Sequence, residues 1–275
     1  MIDKRGLGQL GLLVAALPWA ALLAGTITVA GCATPQAAPG ADTVITEFDE
    51  PESRKRARIR MELAVGYFEQ GKTNVALDEL KQVIAIDPAY PDSYNLRGLV
   101  YMQLNDPRLA EESFRRAVAL NPADGNTLHN LGWLQCQQRR FDEADRAFEQ
   151  ALARPLYPER AKTLMAQGIC QARAGKVDVA EHTLAKAYEL DAGNPVVGYT
   201  LANLLYARGD TSRAQFYIRR LNNSELANAE SLWLGIKVER KLGDRLAMAQ
   251  LADQLKKRFP KSREMASFEK GSFDE

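Results

Sequence analysis

The sequence predicts an all-α solenoid of about six stacked helical hairpins, and three observations predict it. Pro88 and Pro122 each close a helical run, in Ala85-Ile86-Asp87-Pro88 and Ala119-Leu120-Asn121-Pro122, and they stand 34 residues apart. Self-similarity at such a period marks supersecondary units that stack because none can bury its apolar face alone. A 34-residue frame laid on Pro88 then puts small residues at its eighth place (Ala64, Gly98, Gly132, Gly168, Ala202) and its twentieth (Ala76, Ala110, Ala144, Ala180, Ala214). Turn residues fall between the halves of the units, at Gly71, Asn105, Gly175, Gly209 and Gly243. Small side chains let two helices approach closely, while Leu63, Tyr67, Tyr101, Leu131, Phe114, Phe148 and Leu184 fall at helical spacing on the facing surfaces.

Taken in chain order, residues 1–31 differ from everything after them. Lys4 and Arg5 precede a chargeless run from Gly6 to Ala30, the pattern of an export signal. An uncleaved anchor is the alternative, since roughly 17–25 apolar residues suffice to cross a bilayer as a helix. The ending Val29-Ala30-Gly31-Cys32, followed by an Ala/Pro-rich stretch over residues 33–41, resembles the lipobox of bacterial lipoproteins. That resemblance implies cleavage before Cys32, a diacylglyceryl thioether on its sulfur and an acylated amine. Several acyl chains anchor stably where one is marginal. Ala33, rather than Asp, after the lipidated position implies the periplasmic face of the outer membrane. Residues 32–56 are expected to be the lipidated N-terminus and a flexible linker.

The frame gives units at residues 57–90, 91–124 and 125–158, then two extra residues, Glu159 and Arg160, then units at 161–194, 195–228 and 229–262, leaving 263–275 as a tail. Over 57–262 the chain resembles the tetratricopeptide repeat family, which implies a right-handed superhelix of about twelve helices. Unit three has Pro155 and Pro158 instead of the closing proline, which fits an altered connection before unit four. Ala192 and Leu226 replace that proline in units four and five, and the sixth unit carries Met248 where Ala is usual and Gly235 one place early. A terminal unit is expected to be atypical because one of its faces meets no neighbour. The family pattern implies that places two, five, nine and twelve of each unit line a concave groove. Read mainly at the last three places, the groove comprises Met61, Val65 and Phe68, then Asn95, Leu99 and Met102, then His129, Trp133 and Cys136.

Beyond the signal cysteine, Cys136 and Cys170 remain, and in an oxidising compartment a disulfide is predicted. Two buried, unbridged thiols are the alternative. Gly66 to Thr73 satisfies the phosphate-loop pattern G-x-x-x-x-G-K-T letter for letter. That loop needs a preceding strand, whereas residues 56–68 read as an amphipathic helix and Gly71 as an interhelical turn, so no nucleotide is expected. His129 and His182 fall on different helices without metal-ligand spacing, and no Gly-x-Ser-x-Gly elbow exists. Neither catalysis nor a cofactor nor a metal is expected, and units fill nearly all of the mature chain. The net charge of +1 gives no global field toward nucleic acid. Charge is nonetheless patterned: residues 229–263 hold nine basic and four acidic side chains, either a solvated face or a docking surface for anionic headgroups or an acidic partner segment.

Two stretches carry a narrower resemblance. Leu156-Tyr157-Pro158-Glu159-Arg160-Ala161, and Ala229-Glu230-Ser231-Leu232-Trp233-Leu234-Gly235-Ile236 with Gln254-Leu255-Lys256-Lys257-Arg258-Phe259-Pro260, resemble the type IV pilus biogenesis lipoproteins, the PilF/PilW-type pilotins. The resemblance implies an outer-membrane lipoprotein that binds secretin subunits of the pilus channel and promotes their localisation and multimerisation. A general periplasmic adaptor, recruiting cell-wall enzymes or outer-membrane assembly factors through the same groove, is the alternative. The apolar inner face suits an amphipathic helix or an extended hydrophobic segment, with Phe68, Leu99, Met102 and Trp133 as expected anchors.

Overall fold

The computed structural model describes residues 50–273. The export signal, Cys32, most of the linker and the last two residues lie outside that range. Thirteen helices and no strand occur among the described residues: α1 (Glu52–Glu69), α2 (Thr73–Ile86), α3 (Pro91–Gln103), α4 (Pro107–Leu120), α5 (Gly125–Gln137), α6 (Phe141–Leu152), α7 (Arg160–Arg173), α8 (Val177–Leu190), α9 (Pro195–Ala207), α10 (Thr211–Asn222), α11 (Ala229–Leu242), α12 (Arg245–Arg258) and α13 (Arg263–Lys270). The first twelve pair as consecutive hairpins, and the second helix of each hairpin packs on the first helix of the next.

Local chemistry sets the ends of these helices. Asp106, Asp124, Asn194, Asp210, Asp244 and Ser262 accept hydrogen bonds from first-turn amides, and Asn228 forms a reciprocal capping box with Ser231. Between helices, the fifteenth place of every unit is left-handed. Glycine fills it four times, at Gly71, Gly175, Gly209 and Gly243, while Asn105 (φ 58°) and Arg139 (φ 63°) take it in units two and three. In unit four, where the sequence lacks its closing proline, Asp191 Oδ1 accepts from the Gly193 amide. The same turn forms at Asp87 and Asn121, which accept from the amides of Ala89 and Ala123. The Asx turn thus stops the helix whether or not proline follows it.

Inside each hairpin, size is complementary. A Cβ added to Gly98 would lie 2.4 Å from the Phe114 ring, one added to Gly168 2.6 Å from Leu184, and one added to Gly132 3.0 Å from Phe148. The eighth place must therefore be small because the twenty-fourth (Leu80, Phe114, Phe148, Leu184, Ile218) is large and fully buried. The last hairpin inverts the pair: Ile236 is buried at the eighth place and Ala252 faces it within one cluster. Total volume is conserved and packing is kept. Apolar burial is divided into clusters strung along the stack, as expected for a quasi-one-dimensional fold.

Three expectations need correction. Residues 52–56, assigned to the linker, form the first turn and more of α1. They are held there by an ion pair between Arg54 and Asp87 and by the Arg54 guanidinium 4.7 Å over the Tyr90 ring. Part of the stretch assigned to a tail folds as α13, a thirteenth helix that packs mainly on α11. The third is His129, whose surroundings depend on the irregular connection between α6 and α7. There Tyr157 turns inward and its ring fills the space against Gly125, where an added Cβ would lie 2.5 Å away.

Candidate partner-binding groove

The first helices of the hairpins carry the residues read as a groove: Met61, Val65 and Phe68 on α1, Asn95, Leu99 and Met102 on α3, His129, Trp133 and Cys136 on α5. Four of them, Met61, Val65, Asn95 and Leu99, line one open concavity of about 340 Å³ where α1, α3 and the start of α5 meet. Its other walls are Leu96, Asp92, Asp124 and Asn126. Asn95 is positioned by Asn130, whose side-chain amide donates to its Oδ1 at 3.0 Å.

The remaining residues lie outside this concavity. Phe68 is half-buried against the cluster that joins α1, α2 and α3, and Met102 against Ala110, Phe114 and Leu134. Trp133 is half-buried beside Cys136, Cys170 and Phe141, with the Arg173 guanidinium 5.4 Å from its ring centre. Cys136 and Cys170 are joined across α5 and α7, with their Cα atoms 5.8 Å apart.

His129 does not open onto a groove. It is 7% exposed, and its Nδ1 lies 2.9 Å from the Thr163 hydroxyl, which in turn meets the Tyr157 hydroxyl at 2.8 Å. The Phe148 ring packs edge-on at 5.8 Å. Burial, and secondarily the charge of Lys162, lowers the imidazole from 6.5 to about 4, so it is neutral near pH 7. The frame gives no sign of this enclosure, because Tyr157 of the irregular α6–α7 connection and Thr163 at the start of α7 are joined to His129 only by these non-repeated contacts.

Asp92, Leu96, Asp124 and Asn126 were missed, although Asp92 and Asn126 occupy place two of the pattern. Asp124 accepts from the amides of Asn126 and Thr127 and from the Thr127 hydroxyl, which caps α5. The Asp92 carboxyl is raised above its ordinary value, by partial burial first and by the charge of Asp124 second, against a lowering by Arg54. The phosphate-loop match is a helix, a turn and a helix: Gly66 lies in α1, Gly71 has φ +72° and Thr73 opens α2. His182 is an exposed residue of α8.

This geometry has close relatives. Family models described as TPR repeat or tetratricopeptide repeat match residues 66–105, 91–156, 129–195 and 171–232. The type IV pilus assembly protein PilF of Pseudomonas aeruginosa is 30% identical over 209 residues, covering 76% of this chain and 83% of its own length. The chain belongs to the PilF/PilW family of tetratricopeptide proteins. A solved structure of P. aeruginosa PilF superposes with a TM-score of 0.72 at 29% identity, over 80% of this chain and all of that one. The structure of PilW, a widely conserved type IV pilus biogenesis factor, gives 0.71 at 27% identity, over 78% of this chain and 98% of that one. PilF/PilW similarity thus covers about three quarters or more of this chain. Among the described residues no helix is long and apolar enough to cross a membrane.

Proposed function

We propose that this chain is a pilotin: an outer-membrane lipoprotein of type IV pilus biogenesis that binds secretin subunits and promotes their localisation and multimerisation. It acts as a scaffold, without catalysis. The observation that carries the reading is the apolar floor of Met61, Val65, Leu96 and Leu99, open at one end of a PilF/PilW-type stack. Such a floor accepts an amphipathic segment of an unassembled channel subunit, a surface that is aggregation-prone until it is covered. Anchoring rests on Cys32 and the sequence around it, with Ala33 directing the lipoprotein outward. Half-buried Phe68, Met102 and Trp133, on the same first helices but outside the concavity, are the further anchors of this reading.

The reading is tested with mature chain lacking the lipid and a purified periplasmic fragment of the secretin. Phe68→Ala and Leu99→Asp are expected to weaken capture by about tenfold or more, the loss of an interface anchor, with the helical circular dichroism unchanged. Unchanged affinity in both variants would discard the groove. In cells, Cys32→Ser should leave the protein folded but misplaced, with fewer secretin multimers in the outer membrane; normal multimers would remove the lipid from the mechanism.

A further inference from the structure

The concavity is apolar at its floor and anionic at its rim, and that combination selects among side chains. We propose that it is a subsite for one basic residue, Lys or Arg, of the bound polypeptide, whose aliphatic stem lies on Met61, Val65 and Leu99 and whose charge sits between Asp92 and Asp124. This rests on the groove reading above and adds the chemistry of the segment that fills it.

Three facts favour that occupant. No cation among the described residues bonds either carboxylate; Arg54, the cation acting on Asp92, is itself ion-paired with Asp87 and stacked on Tyr90. The Asp92 and Asp124 carboxylates repel each other across the rim, so a cation between them relieves a cost already present in the free protein. An apolar side chain would leave the repulsion between Asp92 and Asp124 unrelieved, and an acidic one would add a third like charge. Lys and Arg alone combine a hydrocarbon stem long enough to cover the floor with a charged head that reaches the rim. The bound segment is therefore basic at one position and apolar around it.

Two experiments with the full mature chain test this and separate it from the secretin reading. Random peptides displayed on phage and selected on the wild-type chain should enrich Lys or Arg flanked by apolar residues. Selection on Asp92→Lys should lose that basic preference, while Asp92→Asn weakens it. Enrichment with no charge preference, or the same preference on Asp92→Lys, overturns the subsite whatever the identity of the partner. With the secretin fragment as probe, Asp92→Lys should weaken binding by about tenfold, and affinity should fall as salt rises. Loss of binding in Phe68→Ala with full binding in Asp92→Lys keeps the groove and overturns the basic subsite. A secretin fragment that fails to bind the wild-type chain, together with a basic preference on phage, keeps the subsite and overturns the secretin as its source.

Discussion

The two ends of the stack use equivalent helix positions differently. At the first end, Met61 at place five of α1 is 9% exposed and borders the concavity shared with α3. At the last, Trp233 holds the same place on α11 and is covered: Phe273 stacks on it at 5.2 Å, Phe268 meets it edge-on at 6.4 Å, and Arg240 lies 4.1 Å over Phe273. An apolar inner face is thus not by itself a docking surface; it becomes one only where no segment of the chain lies on it. Helix α13 and Phe273 cover the far end, and the proposed recognition surface is the near one.

The covered end gives the largest expected effect. Trp233→Ala should lower stability by about 3–5 kcal/mol, the range for deleting a large buried aromatic, and expose residues 263–273 to limited proteolysis. Retained protease resistance would mean α13 is held by other contacts. At the joint between the halves, Cys136→Ser should lower stability by roughly 3–4 kcal/mol, the chain-entropy value for a closed loop of this size. Denaturant midpoints that do not move with or without reductant would show that no bridge forms.

His129 makes the same joint sensitive to acid. Its folded value of about 4 lies below its ordinary 6.5, so the unfolded chain takes up the proton first. Its contribution is complete above pH 6.5 and is lost as pH falls toward about 4, amounting to about 3 kcal/mol. Urea midpoints at both pH values should show a steeper loss in wild type than in His129→Gln. Parallel losses would place the acid sensitivity elsewhere.

Smaller effects probe the open end. Gly98→Ala forces a Cβ against Phe114 and should cost about 1–3 kcal/mol. Gly66→Ala meets open space in α1 and should stabilise by roughly 0.5–1 kcal/mol. Equal effects at the two glycines would deny the tight hairpin packing. Smallest is Arg139→Gly, which removes a left-handed non-glycine residue from the turn of unit three and should raise stability by under about 1 kcal/mol.

What the sequence made legible was whatever the repeat enforces. Gly98 and Phe114 announce a hairpin because their sizes must match in every unit, and the recurring left-handed turn announces its own place. What stayed hidden was set by single, non-repeated contacts. The Ile236 and Ala252 exchange preserves a sum rather than a residue type, so a positional pattern reads it as a defect. Tyr157 belongs to the irregular connection between α6 and α7, and its inward turn accompanies an enclosure of His129 that no repeat position announces. Helix α13 has no counterpart to be periodic with, and its Phe268 and Phe273 gain meaning only beside Trp233. Asp92 stands at place two, whereas the groove is read mainly at places five, nine and twelve.

The division of the apolar clusters has one more consequence. Because burial is local to each pair of neighbours, amide exchange should follow a staircase, fastest at the outermost turns and slowest near the middle. The covalent link between α5 and α7 acts there as a stop on a zipper. Fraying that starts at α1 runs out before it reaches the sealed half, so the first hairpins can loosen while the rest of the molecule keeps its shape.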